Sequence, residues 1–383
     1  SGKVETNETR TSYRGDLLKA DEIVSWRVRT WCENMSEPSP WSSSLTFRGA
    51  RCAESDWTGK WITYSQNHDD DCPASTNPIF EKTFQVTRNS TGKVYVAGLG
   101  YFRVSLNGVD ISNGSFLDPP LTTFSKRVSY AVYDVTLSAG KNTISVQLGS
   151  GWFNLTPMKF WGSKIIRDNL TSGQPQMRLD LVKNHTTLVV SSDDTWAYRD
   201  GPYVFNDVYL GTKFDARLLN NNSVYRPVSI VQSNLFPLRP YTVPPIRVFE
   251  TLEAHLVPGT DDVYDFGRNF AGTVRYQFRG PLEAGQKFVF RYGEVLYPNK
   301  TVNGLTSVAG QIKSGNGGEC APKIAFQEDV FIADKLEENE TFEYIPRFTW
   351  HGFRFVQIIN GTSIASAHGL ALRTDVDRAV SVF

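Results

Sequence analysis

Hydrophobic positions alternate with polar ones along most of this chain. The runs PIFEKTFQV (78–86), KVYVAGL (93–99), YFRVSLNGVDI (101–111), RVSYAVYDVTL (127–137), NTISVQL (142–148), MRLDLVK (177–183) and TTLVVSS (186–192) have the period-two pattern of half-buried strands. Turn chemistry separates them: Asn107-Gly108, Ala139-Gly140 and Asn184-His185. Strands this short and this regularly spaced predict a β-sandwich or jelly roll over residues 56–240. A second all-β unit is predicted over 241–371 from DDVYDFGRNFAGTVRYQFRG, KFVFRYGEVLY, EDVFIAD and TFEYIPRFTWHGFRFVQIING. Its interruption, NGLTSVAGQIKSGNGGECAPK, is glycine-rich and too long for an idle hairpin loop. Residues 1–55 carry VSWRVRTW and, after a Pro/Ser turn, a second strand ending SSSLTF. Two or three strands cannot close a sandwich, and Trp26 and Trp41 are read as core, the usual place of strand tryptophans. Residues 372–383 leave the second unit as the start of a linker. No stretch has a convincing helical period, so the fold class is all-β.

Composition narrows the function. The 383 residues balance 40 Lys and Arg against 40 Asp and Glu, so no charge excess recommends a nucleic-acid partner. No apolar run is long enough to cross a bilayer as a helix, which argues against a membrane partner. Aromatic residues make up 13% and many stand in strands or beside glycine, a composition that suits surfaces stacking on sugar rings. Eleven Asn-x-Ser/Thr sequons occur, at Asn7, Asn34, Asn89, Asn113, Asn154, Asn169, Asn184, Asn221, Asn299, Asn339 and Asn360. Chance would give roughly three, so the excess points to a glycosylated, secreted chain. Four cysteines, Cys32, Cys52, Cys72 and Cys320, are even in number and lack zinc-type spacing, which fits an oxidising compartment. Three disulfide pairings are open. No signal peptide is recognisable, and Ser1 reads as a mature or processed terminus.

Most candidate chemistry has a plainer explanation. Asp265-Phe266-Gly267 comes without the phosphate loop, lysine or catalytic loop of a kinase, so Asp265 is expected to order a turn. His68 with Asp69, Asp70 and Asp71 reads as a solvated loop rather than a cation site, and GNGG at 315–318 lacks the Lys-Ser/Thr of a phosphate-binding loop. Gly149-Ser150-Gly151 lacks the spacing of a nucleophile elbow. Glu294 and Asp134 sit in strand-like runs where a structural hydrogen bond is the simpler role. VQLGSGWFNLT (146–156) is different: a good strand gives way to small residues and then to Trp152 and Phe153 where the chain must turn. That loop is either ligand-shaped or a strand end packed under its neighbours.

Several stretches carry a resemblance. GLGYFRVSLNGVDI, DPPLTTFSKRVSYAVYDVTLSAGKNTISVQLGSGWF and GPYVFNDVYLGTKFDAR, in that order, resemble the amino-terminal β-sandwich of α-L-rhamnosidases, the family 78 glycoside hydrolases. That domain is itself similar to rhamnose-binding modules of carbohydrate-binding family 67. VYDFGRNFAGTVRY, RYGEVLY and YIPRFTWHGFRFVQIING resemble the next sandwich of the same enzymes, and GQIKSGNGGECAPKIAFQEDVFIAD resembles a loop of fungal members. Residues 1–55 resemble the second half of a fibronectin type III domain.

The resemblance implies inverting hydrolysis of terminal α-L-rhamnose from glycosides or polysaccharides. The acid and base would lie on an (α/α)6 barrel whose signature run is absent from these residues, so this chain alone is expected to be inactive. It also implies a sugar site at Ser150, Trp152, Tyr209 and Asp215. Related modules use calcium there; Ser150 stands where an Asp or Asn is usual and Thr212 where a Glu is usual, which weakens a hard-cation site. Two other readings compete: a standalone secreted lectin without catalysis, and a self-sufficient glycosidase with other carboxylates.

Overall fold

The computed structural model describes residues 4, 6, 8, 13, 15–32, 37–65, 77–156, 173–184, 187–219, 224–231, 237–308, 322, 324–359 and 364–376. Their only helices are the 3-10 turns Glu54–Asp56, Ala216–Leu218 and Gly304–Ser307; the rest of the regular structure is strand, and the fold is all-β as expected.

The first unit is a sandwich of two sheets. One runs Ser229–Ile230, Ile62–Thr63, Gln176–Lys183, Ser90–Leu99, Val128–Leu137, Leu238–Pro240, with Thr187–Ser191 beside Gln176–Lys183. The other runs Arg226–Pro227, Ala197–Arg199, Ile79–Val86, Gly140–Gly149, Tyr101–Leu106, Val109–Asp110. The strand Gly140–Gly149 shows why: Asn142, Ile144, Val146 and Leu148 are buried while Thr143, Ser145 and Gln147 between them are not. Val94, Val96, Leu179 and Leu181 of one sheet meet Phe80, Val104, Val146 and Leu148 of the other to form the core. Each such side chain contributes about 1.5–3 kcal/mol on burial. The strand Ser90–Leu99 is buried on both faces, because Tyr95, Ala97 and Leu99 point outward under Trp57 and Trp61.

The second unit is one ten-stranded sheet. Its path is Tyr203–Asp207, Gly211–Asp215, Glu328–Ile332, Lys287–Gly293, His351–Ile359, Val263–Arg279, Ile364–Thr374, Ile246–Glu253, with His255–Leu256 and Thr341–Tyr344 also on Val263–Arg279. It curls until rings from strands that are not neighbours touch, Phe278 lying 4.4 Å from Phe331 and Tyr276 3.8 Å from Phe290 between centroids.

Four expectations change. The hairpin Tyr203–Asp215 lies within the stretch assigned to the first sandwich, yet it pairs in parallel with Glu328–Ile332 of the second sheet. Residues 372–374 still belong to the strand Ile364–Thr374 rather than to a linker. Trp26 and Trp41 are not core: they are 44% and 46% exposed, because the strands Ile23–Trp26 and Leu45–Arg48 pair only with each other and no second layer faces them among the described residues. Cys32 and Cys52 are exposed free thiols, so the Cys32–Cys52 pairing is not formed; Cys72 and Cys320 lie outside the described residues.

Candidate functional site

The loop after the strand Gly140–Gly149 lands at the joint between the two units. Gly149 is needed there, since a Cβ on it would stand 2.5 Å from the Phe348 ring. Gly151 has φ +52°, and a Cβ would meet the backbone nitrogen of Tyr101 at 2.8 Å. Phe348 itself has φ +63°, a left-handed conformation that costs a residue with a Cβ about 1–2 kcal/mol and persists because its surroundings hold it.

Polar groups then lace the joint. The Ser150 N–H donates to Asn206 Oδ1 at 3.1 Å, and Asn206 Nδ2 donates to the Phe348 carbonyl at 3.0 Å. Asp207, fully buried, accepts from Thr156 N at 2.7 Å on one oxygen and from Tyr209 N at 2.7 Å and Leu210 N at 3.2 Å on the other. Burial pushes its carboxyl above the usual range, against the pull of those three N–H groups. Asp329, also buried, accepts from Thr212 N at 2.8 Å and Tyr292 Oη at 2.7 Å, and lies 2.9 Å from His351 Nε2.

The predicted site residues divide. Trp152 and Tyr209 come together as half-buried rings, 5.6 Å between centroids and edge to face, and both pack against the core of the second unit. The Trp152 indole is hydrogen-bonded to the Tyr101 phenol, whose pKa burial pushes up. Ser150 stands beside them but is only 2% exposed and serves the joint. Asp215 does not join them. It is buried, and Arg217 takes its carboxylate through the backbone N–H at 3.1 Å and the guanidinium at 2.6 and 2.9 Å. The residues present do not make a calcium cage either: Thr212 Oγ1 donates to the Phe205 carbonyl at 3.1 Å, Asp215 is taken by Arg217, and no cluster of three ligating side chains occurs among the described residues. Sequence reasoning missed Asn206, Asp207, Asp329 and Phe348, whose roles depend on partners far away in the chain.

The other candidates behave locally. Asp265 orders its turn, accepting from Gly267 N at 2.7 Å while Arg354 lies alongside at 2.8 Å and holds the carboxyl below its usual range. Glu294 accepts from Asn269 at 2.8 Å, and Asp134 pairs with Lys93 at 2.5 Å. His68–Asp71 and 315–318 lie outside the described residues. Buried Asp118 is held by Ser115 and Tyr133 at 2.7 and 2.6 Å, and buried Asp180 by Arg51, Thr58 N and Gly59 N at 2.9, 3.0 and 2.8 Å. Burial pushes both carboxyls up, as in a general acid, but each is closed in by protein groups. Of the sequon asparagines, Asn89, Asn113, Asn184, Asn299 and Asn339 are exposed, whereas Asn154 is 5% exposed and has no room for a glycan. Asn7, Asn34, Asn169, Asn221 and Asn360 lie outside the described residues.

Comparison with known proteins divides the chain in the same order. Residues 87–250 match the family model of the α-L-rhamnosidase N-terminal domain, and residues 256–374 match that of the bacterial α-L-rhamnosidase concanavalin-like domain. An α-L-rhamnosidase of Formosa agariphila is 27% identical over 91% of this chain and 37% of its own length. One from Alteromonas sp. is 26% identical over 90% of this chain and 37% of its own. Among solved structures, the α-L-rhamnosidase of Dictyoglumus thermophilum superposes with TM-score 0.79 at 27% identity, over 98% of this chain and 42% of that one. The α-L-rhamnosidase of Aspergillus terreus, at 23% identity and TM-score 0.72 over 94% of this chain and 41% of its own, shares the fold. The chain therefore spans about two-fifths of the length of the relatives it matches.

Proposed function

The chain belongs to the α-L-rhamnosidase family, as its amino-terminal β-sandwich portion, and from that premise we propose that residues 1–383 serve as the accessory, sugar-contacting and scaffolding part of an α-L-rhamnosidase. The observation that carries this reading is the order of the two family matches on two units that interlock through the hairpin Tyr203–Asp215. The substrates would be terminal α-L-rhamnosides, and the acid and base would come from an (α/α)6 barrel outside these residues. Inverting hydrolysis needs two carboxyl groups about 6.5–9.5 Å apart with room for water between them. The buried carboxylates among the described residues are all committed to neighbouring protein groups, which supports placing catalysis elsewhere. The exposed sequon asparagines support secretion as a glycoprotein, with Asn154 left unmodified.

Within the joint, the accessible parts of Trp152 and Tyr209 are the surface offered to a sugar ring, with Ser150 behind them as support. Stacking of one ring gives weak affinity, because association costs offset most of the contact. Calorimetry is expected to give weak binding of L-rhamnose that Trp152→Ala removes, and the purified chain is expected to release no rhamnose from an aryl α-L-rhamnoside. Release of rhamnose by the chain alone would place catalysis inside it; absence of rhamnose binding would leave Trp152 and Tyr209 as joint packing only.

A further inference from the structure

A second feature of the joint is a guanidinium with no hydrogen-bond acceptor among the described residues. Arg347 leaves the segment between the strands Thr341–Tyr344 and His351–Ile359, and its guanidinium carbon lies 4.5 Å from the centroid of the Phe116 ring. Phe116 is held in place from both sides: its own N–H donates to Ile246 O at 2.9 Å, and Asp118 of the same loop accepts from Phe102 N at 2.7 Å. That loop begins at Asp110, which takes Arg103 Nε at 2.5 Å and gives its other oxygen to Ser112 N at 2.7 Å and Ser112 Oγ at 2.5 Å. Asp110 is thus committed. Glu343, the other acid near Arg347, is drawn to Arg275 at 3.7 Å. The Arg347 backbone N–H donates to the Tyr203 phenol, but its guanidinium has no hydrogen bond and no ion pair among the described residues, and the Nη groups of Arg103, 41% exposed, are also without acceptors there. Burial first, and the nearby Arg103 second, hold the Arg347 guanidinium below its ordinary pKa, against the pull of Asp110 and Glu343.

A half-buried guanidinium pressed on an aromatic ring keeps its edge N–H groups free in one plane, the arrangement that fits a carboxylate through two parallel hydrogen bonds. Leaving it unpaired costs free energy that an anion would recover. We propose that Arg347, with Arg103, forms a subsite for the carboxylate of a uronic acid in a rhamnose-containing saccharide. The saccharide half of this statement rests on the accessory-sugar reading above; the carboxylate half rests on the arginines.

The test is titration of the chain with D-glucuronate and D-galacturonate, with acetate and D-glucose as controls, followed by calorimetry or chemical-shift changes. Binding of at least one uronate is expected, stronger than acetate, absent for glucose and weakened by salt. Arg347→Gln is expected to lower uronate affinity by about tenfold or more, while leaving L-rhamnose binding unchanged. Should Arg347→Gln unfold the joint, the more exposed Arg103→Gln gives the same reading with a smaller loss. No uronate binding, or uronate binding that survives both substitutions, overturns the proposal. Acetate binding as tightly as the uronates also overturns it, in favour of a protein carboxylate as the occupant. Failure to bind rhamnose with uronate binding intact would count against the Trp152 site alone.

Discussion

The hairpin of Ile23–Trp26 and Leu45–Arg48 and the hairpin of Tyr203–Asp207 and Gly211–Asp215 both pair strands of four or five residues that carry aromatic side chains, and both lie outside the two sheets of the first sandwich. The later one is inserted into another sheet. It gains a parallel partner strand, Tyr203 and Phe214 enter a core with Phe331, Tyr344 and Phe348, and Asp329 accepts from Thr212. The earlier one pairs only with itself. It is moored at its base through Arg51, which joins Asp21 at 2.6 Å to Asp180 at 2.9 Å, while Trp26, Val28, Leu45 and Phe47 stay exposed. An isolated two-stranded unit is marginal in water, so sequence pattern alone does not make a hairpin stable; what its face and edge meet decides.

If insertion is what stabilises the later hairpin, blocking it should have the largest effect. Gly211 has φ +83°, and a Cβ there would stand 2.0 Å from the carbonyl oxygen of Glu328, on the strand it must join. Neither the conformation nor the space admits a side chain. Gly211→Ala is expected to cost about 3 kcal/mol or more, left-handed strain adding to backbone overlap. Chemical denaturation measures the loss, and hydrogen exchange should show it concentrated in 203–215 and in the strand Glu328–Ile332. A loss below about 1 kcal/mol, within the range of ordinary surface changes, would mean that the hairpin is held by something other than its seat.

The middle-sized test uses charge. Burial raises the Asp207 carboxyl above its unfolded value of about 3.9, so the folded state binds this proton more tightly than the unfolded state does. The associated stabilisation is fully present below about pH 4 and is lost as pH rises through the folded value. Asp118 and Asp180 shift in the same direction, so the slope belongs to all three. Asp207→Asn removes one share of it. The variant should lose about 1–3 kcal/mol, because one amide oxygen cannot serve three N–H donors. Its stability should also fall less steeply than the parent's as pH rises from 4, in denaturation series at fixed salt; parallel slopes would remove Asp207 from the account.

Much of the architecture was legible because strands and turns are local. Asn107 and Gly108 adopt φ +52° and +79°, the turn their dipeptide predicts, and Asp265 caps its own turn. The joint was not legible, since Ser150 meets Asn206 from 56 residues away and Asn206 meets Phe348 from 142. Period-two alternation says which face of a strand is buried, but not which sheet the strand joins. That is why the pairing of 203–215 with the strand Glu328–Ile332 could not be read from the sequence. Trp152 and Tyr209, singled out by type and position, do come together, whereas Ser150 and Asp215, expected in the same sugar site, give a backbone N–H to Asn206 and a carboxylate to Arg217.

The smallest expected effect separates the two hairpins most cleanly. Trp26 lies opposite Leu45, and Val24 opposite Phe47, so these four share one face with no layer over it among the described residues. A tryptophan in a packed core costs about 3–5 kcal/mol when truncated, and one left largely in water costs about 0.5 kcal/mol or less. Trp26→Ser is therefore expected to change the unfolding free energy of the 383-residue chain very little, and to reduce any tendency of the apolar face to self-associate. Matched denaturation curves for parent and variant decide the matter. A loss of about 2 kcal/mol or more would mean that the face is covered in solution, and the contrast between a moored hairpin and an inserted one would no longer hold.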